Sequence, residues 1–381
     1  MRIALAFGLC LIAATALAGP RAKDLPKPQA DTAAAAPNLR EKLRAQMNEN
    51  VVTIMAGSPS GTDLAIVQDI AAVLDDGDNL RVLPMVGKGP EQNIKDVMFL
   101  RGVDMGVTQA NLLKHFDKTG ELGPNLKGQI AYIAKLFNEE LHVLVRGEVG
   151  DIKELAGKPV NFGPEGSGAE ITGRLIFEAL GVETQPVHLN DADAIEKLKS
   201  GEVAATIAVT GKPAPVLTSL KDTTGLKLLP VPYAKGLEDE YYPAAFTHED
   251  YPNLVPEGAS VDTMSVCAVL ISFNWNNDSA RYAKIAKFVD RFFANFDRFL
   301  EAPRHPKWRE VNYAATLEGW RRSPLSQAWI DRVKKTTDTA SRSHFDAFLA
   351  QANGGRTTIS EAERAELFRA FLQWRKERGL N

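Results

Sequence analysis

Along the chain short β-rich apolar runs alternate with stretches whose apolar positions recur every three to four residues, as strands alternating with helices do. Val51-Val52-Thr53-Ile54-Met55 predicts a strand, and after a Gly/Ser/Pro turn Leu64, Val67, Ile70, Ala71 and Leu74 share one helical face. Leu80–Val86 predicts a second strand; Gly87-Lys88-Gly89-Pro90 breaks it, and Pro90 suits the first turn of a helix through Leu100. The same pattern predicts strands at 104–109, 130–137, 141–146, 159–162, 187–189, 203–209 and 226–231. Helices fall at 110–117, at 168–180 with Ile171, Leu175 and Ala179 on one face, and after Asn190 or Asp191 as cap. Met264–Phe273 is a long apolar strand, and Ile285, Phe288, Val289, Phe292, Phe296 and Phe299 mark a strongly periodic helix after it. This alternation predicts an α/β fold with mainly parallel sheets.

Beyond residue 305 the pattern turns helical. Ser323-Pro324 opens one helix, His344–Ala352 carries Phe345, Phe348 and Leu349, and Ser360 with Glu363 forms a capping box for a last helix with Leu367, Phe371 and Trp374. Composition separates this stretch as well. Residues 301–381 hold 15 Lys and Arg against 10 Asp and Glu, and four of the five Trp. Residues 306–381 are therefore expected to form a helical C-terminal extension, packed on the body or docking a partner. The whole chain has net charge −3, so it lacks the basic excess of a nucleic-acid binder.

At the other end, Met1-Arg2, the apolar run Ile3–Ala14 and Ala16-Leu17-Ala18 predict a secretory signal peptide cleaved after about Ala18, hence a periplasmic protein. Residues 19–48 read as a linker and N-terminal segment, rich in Ala, Pro and Lys up to Pro37. Cleavage removes Cys10 and leaves Cys267 alone in an apolar run, where a buried core thiol is expected and no internal disulfide can form.

Catalytic signals are few. His115, His142, His188, His248, His305 and His344 stand in no metal-ligand spacing, and no nucleophile elbow or phosphate loop is present. The chemistry-bearing features are two strand–loop–helix junctions, Gly57-Ser58-Pro59-Ser60-Gly61-Thr62-Asp63 and Gly163-Pro164-Glu165-Gly166-Ser167-Gly168-Ala169-Glu170. Each sets small residues and hydroxyls at a helix N-terminus, where free N–H groups and the helix dipole favour an anion. Both belong at the C-terminal edges of their sheets, where α/β proteins bind ligands.

An ordered series of stretches then matches one family. It comprises Met55-Ala56-Gly57-Ser58 to Thr62, Gly87 with Glu91-Gln92-Asn93-Ile94, Gly102-Val103-Asp104-Met105-Gly106-Val107-Thr108-Gln109, Asn138-Glu139-Glu140-Leu141-His142-Val143-Leu144-Val145, Gly166-Ser167-Gly168 with Glu170, and Gly211 with Pro213. Over residues 49–300 the chain resembles the solute receptors of TAXI-type TRAP transporters. That resemblance implies an α/β two-lobe clamshell of the type II periplasmic-binding-protein class, without catalytic residues, metal or cofactor. It implies a small polar or anionic solute, an amino acid such as glutamate or an organic acid, delivered to the membrane permease subunits of a TRAP transporter. The lobes are expected at 49–146 plus 250–305 and at 147–249, with crossings near Val145–Gly150 and Ala244–Leu254. The ligand set implied is Ser58, Gly61, Thr62, Asn93, Gln109, Ser167, Gly168, Ala169, Glu170, Thr210 and Gly211.

Two departures bear on the solute. Asp63-Leu64 stand where the family commonly has aromatic residues, and Ala169 replaces a Thr of the second loop. Glu165, Glu170 and Lys212 lie near the second lobe's edge, either balancing a zwitterion or as solvated surface charges. A receptor for an ABC importer shares the expected fold and stays open as a reading. So does an exported sensing or scaffold protein acting through its C-terminal helices. An exported enzyme would need a reactive group in the cleft, for which Glu140 and His142 are the residues to test.

Overall fold

The computed structural model describes residues 38–59, 61–77, 79–233, 236–238, 240–336, 345 and 366–373. The expected signal peptide, the expected linker to Pro37, most of His344–Ala352, the expected Ser360–Glu363 box and Trp374 lie outside these residues. The chain divides into two compact units, 1–45 and 46–381. The described part of the first begins helix α1 (Leu39–Glu49), which buries no residue. Its start is capped reciprocally: the Glu41 N–H donates to Asn38 Oδ1 at 2.9 Å and the Asn38 N–H to Glu41 Oε2 at 3.1 Å.

The second unit is built on one ten-stranded sheet. Its strands are β1 (Val51–Ala56), β2 (Arg81–Val86), β3 (Met105–Gln109), β4 (Ile130–Arg146), β5 (Pro159–Asn161), β6 (Gln185–Val187), β7 (Ala205–Thr210), β8 (Leu226–Leu228), β9 (Tyr242–Thr247) and β10 (Ser260–Phe273). Helices α2 (Thr62–Leu74), α3 (Pro90–Phe99), α4 (Ala110–Thr119), α5 (Leu126–Gln129), α6 (Gly168–Ala179), α7 (Asp191–Ser200), α8 (Pro215–Thr218) and α9 (Ala280–Ala294) complete it, with a further helix over 324–336.

The order is β2-β1-β3-β10-β4-β7-β5-β6, with β8 added to β4 and β9 to β10. Strands within each wing run parallel, β1 with β2 and β3, and β5 with β6 and β7. Every pair involving β4 or β10 is antiparallel, so the sheet is mixed and not mainly parallel. The expected strands 130–137 and 141–146 are one 17-residue strand, whose polar centre Asn138-Glu139-Glu140 continues the ladder. A polar triplet imitates a strand end in the pattern, but the backbone pairs regardless of side chain once two neighbours flank it.

The core separates into two wings. Ile54, Val67, Val107, Ile133, Leu270 and Phe292 pack in one cluster and Ile94, Leu113, Tyr132 and Val269 in another. Leu141, Val143, Val160, Ile176, Ile207 and Val266 form a third, and Leu144, Leu198, Leu217, Phe246 and Tyr251 a fourth. This is the expected two-lobe α/β clamshell. The handover between wings runs through the middles of β4 and β10: Phe137 and Ala268 pack with the first wing, Leu141 and Val266 with the second. Crossings at Val145–Gly150 and Ala244–Leu254 are thereby corrected. Val145, Phe246 and Tyr251 all lie inside the second wing's core, and a continuous strand crosses without the Gly or Pro that marks a linker.

The C-terminal stretch is likewise no separate module at its start. Trp308 is fully buried in the first wing, stacked on Phe299 at 4.3 Å between ring centroids, and Val311 joins the same cluster. Trp329 stacks on Phe293 at 5.0 Å, and the Tyr132 N–H donates to the Arg321 carbonyl while the Ser323 N–H donates to that of Tyr132. Basic composition marked a boundary that the apolar contacts do not respect.

Candidate functional site

Between the wings lies a cavity of about 270 Å³. Its walls are the loops that leave the C-terminal ends of β1, β2, β5, β6 and β7, together with Glu139 from the middle of β4. Helices α2, α3 and α6 all begin there. Neither Gly61 before α2 nor Gly89 before α3 caps its helix with a side chain, whereas Ser167 caps α6 by accepting the Glu170 N–H at 3.3 Å.

The wings touch through buried polar contacts beside the cavity. The Thr62 N–H donates to Thr210 Oγ1 at 3.1 Å, and Thr62 Oγ1 donates to the Gly211 carbonyl at 2.9 Å. Asn111 Nδ2 donates to Thr172 Oγ1 and to the Tyr241 hydroxyl at 2.8 and 2.9 Å. Two glycines permit the approach. A Cβ on Gly89, whose φ is 145°, would sit 2.8 Å from the Gly166 carbonyl oxygen, and one on Gly168 would sit 2.4 Å from Gln109 Nε2.

Seven residues of the implied ligand set line the cavity: Ser58, Gly61, Thr62, Ser167, Gly168, Ala169 and Thr210. The other four stand behind its wall. Asn93 is fully buried and ties strands together, donating to the Ala56 and Val107 carbonyls at 3.2 and 2.8 Å. Gln109 donates to Glu139 Oε2 at 2.8 Å and accepts from Thr172 at 2.6 Å, so it aims a carboxylate instead of facing the cavity. Glu170 folds back on its own loop, accepting the Gly166 N–H at 2.7 Å. Gly211 is held by Thr62 as above. Of the second lobe's edge charges, Lys212 pairs with Asp250 at 2.9 Å.

Neither Asp63 nor Glu139 belongs to the ligand set that the resemblance implies. Both line the cavity, and they are only 4% and 3% exposed. Asp63 Oδ1 has no hydrogen-bond partner among the described residues. Burial, before any other cause, pushes the Asp63 carboxyl up to about 7. Burial also raises Glu139 well above its ordinary range, and the nearby Asp63 charge raises it further. The departure of Asp63 from the family pattern was the available signal; the depth of Glu139 had none, because it sits mid-strand.

Next to Glu139 the side chain of Glu140 points away from the cavity, into a buried ion pair. Lys307, 1% exposed, donates to Glu140 Oε1 at 2.6 Å and to both oxygens of Glu310 at 2.9 and 2.8 Å. Burial still holds the Glu140 carboxyl up at about 7, against the opposing pull of Lys307. His142 is structural. Its Nε2 accepts from the Tyr251 hydroxyl at 2.6 Å, that hydroxyl accepts the Ala214 N–H, and burial lowers the imidazole to about 3. Cys267 is buried, and burial pushes its thiol up to about 12.

These groups set the electrostatics. A helix N-terminus favours an anion by about 0.3–1 kcal/mol. An ionised carboxylate about 4 Å from a bound anion opposes it by roughly 4 kcal/mol at an effective dielectric of 20. Asp63 and Glu139 oppose a bound anion only to the extent that they are ionised; protonated, as burial favours, they leave the helix ends unopposed.

Residues 54–283 match the NMT1-like family. The chain belongs to the NMT1-like family. Among solved structures it is similar to a periplasmic transporter protein at 12% identity, with a TM-score of 0.47 over 76% of this chain and 95% of that one. It is also similar to MatC from Rhodopseudomonas palustris with bound malate, at 15% identity and TM-score 0.46 over 75% and 97% of the two chains. A third is an amino acid ABC transporter substrate-binding protein from Streptococcus pneumoniae bound to L-arginine, at 13% identity and TM-score 0.39 over 71% and 99%.

Proposed function

We propose that this NMT1-like protein is an exported solute receptor that holds one small polar molecule between its wings and hands it to a membrane permease. The observation that carries the reading is the cavity: about 270 Å³, walled by strand-end loops from both wings, and flanked by hydrogen bonds that exist only when the wings meet. Two separately packed wings joined by β4 and β10 can open and shut as units, and a solute bridging them favours the shut form. The seven cavity-lining residues named above are its proposed contacts, with Gln109, Asn93 and Gly211 positioning them. A catalytic reading finds no support in Glu140, His142 or Cys267, since each is engaged inside the core.

The test is small-angle scattering with thermal melting on protein stripped of solute by unfolding and refolding, against amino acids and organic acids. A bound solute at about 100 times its Kd stabilises by roughly 2.7 kcal/mol and raises Tm by about two degrees or more. Compaction together with a melting shift for one compound class supports the receptor; melting and scattering that no compound alters reject it. The finer assignment, a TAXI-type TRAP receptor, draws its support from the ordered motif series between Met55 and Pro213. Uptake by vesicles carrying TRAP membrane subunits, dependent on this protein, is the expected result; uptake dependent on an ATP-driven importer would reassign it.

A further inference from the structure

Among the described residues, the cavity is lined by two buried acidic side chains and by no buried base. Asp63 and Glu139 come from different elements, the first turn of α2 and the centre of β4, and both reach the same space. One oxygen of Asp63, in a residue 4% exposed, has no hydrogen-bond partner among the described residues. Glu139 is aimed by a chain: Thr172 Oγ1 donates to Gln109 Oε1 at 2.6 Å, which turns Gln109 Nε2 toward Glu139 Oε2 at 2.8 Å. The buried cation of this region, Lys307, is engaged by Glu140 and Glu310, and Lys88 lines the cavity as an exposed side chain. Pro59, Ala169, Ile207, Val209 and Val216 supply an apolar wall for a hydrocarbon body.

An unpartnered carboxyl oxygen in a built, buried position at the cavity wall is costly and is relieved by a donor entering the cavity. We infer that Asp63 and Glu139 together form the recognition site for a protonated amine, so that the solute is an organic ammonium compound and not a simple carboxylate. The inference rests on the receptor reading above and narrows its solute class. An ammonium group offers three N–H donors and a positive charge, which is the chemistry that two carboxyls lining one cavity would recognise. The raised affinity of both carboxyls for protons fits this, because a proton stands where the ammonium charge would sit. Amine binding should then expel protons from the pair.

The experiment uses refolded, solute-free protein and calorimetric titration at pH 7.5 with matched pairs: amino acids, their desamino acids, and alkylamines of the same length. The expected result is that compounds with the ammonium group bind at least 100-fold tighter than their desamino partners. D63N and E139Q should each weaken amine binding at least 30-fold, and binding in buffers of different ionisation enthalpy should show proton release near pH 6.5. Should E139Q not fold, D63N decides the point, since an amide fits the space of the carboxylate. A desamino acid that binds as tightly as its amine partner overturns the inference and leaves the receptor standing. Amine binding undiminished in D63N overturns it as well. Binding by neither class removes both readings.

Discussion

Replacing Asp63 by Asn tests the energetics of the empty cavity directly. The folded protein raises this carboxyl from 3.8 to about 7 by burying it. A raised folded value means that the folded state holds the proton more tightly than the unfolded chain does. The stability it contributes is therefore complete below about pH 4 and is lost as the pH climbs through 7. Every pH unit separating the folded from the unfolded value is worth about 1.36 kcal/mol, so the loss reaches about 4 kcal/mol by pH 8, of which about 3 falls between pH 5 and pH 8. Asn has no proton to lose. Solute-free D63N should therefore gain about 3 kcal/mol relative to the parent between pH 5 and pH 8, whatever its constant offset at pH 5. Urea unfolding followed by circular dichroism measures it; with a slope of about 3 kcal/mol per M, the midpoints should diverge by roughly 1 M. Two stability curves running parallel from pH 5 to pH 8 would refute the reasoning and show that Asp63 is solvated or paired in solution.

Other expectations follow from the same geometry. K307M leaves Glu140 buried without its cation and should cost about 3–5 kcal/mol, with the K307M/E140Q double variant recovering much of it; equal losses in both would contradict the pairing. G89A places a methyl 2.8 Å from the Gly166 carbonyl, so scattering should report a more open particle with both wings still folded; an unchanged radius of gyration would show that the loops part easily. Y251F strands His142 Nε2 and the Ala214 N–H and should cost about 1–3 kcal/mol in chemical denaturation, with no change in solute affinity if that cluster is purely structural.

Much of this protein could be read before folding it. Short β-rich apolar runs around Ile54, Val107 and Val269 and the helical faces of Leu64–Leu74 and Ile285–Phe292 match the strands and helices found, because strands buried on both faces read as continuous apolar runs and helices packed on them by one face read at helical spacing. The two glycine-rich junctions were legible too, since a strand that must turn into a helix beside a ligand needs small residues there. Tertiary structure alone decided three matters. It ran one strand straight through Asn138-Glu139-Glu140, because sheet pairing is made by the backbone and ignores polar side chains. It drew Lys307 and Trp308, in a compositionally basic tail, into the first wing's interior and against Glu140, a contact 167 residues away in sequence that no local pattern encodes. And it turned adjacent glutamates to opposite fates, Glu140 to a buried ion pair and Glu139 to the cavity beside Asp63, because neighbours in a strand point to opposite faces. The charge of the cavity is therefore a property of the assembled sheet, where two carboxyls far apart in the chain line one desolvated space.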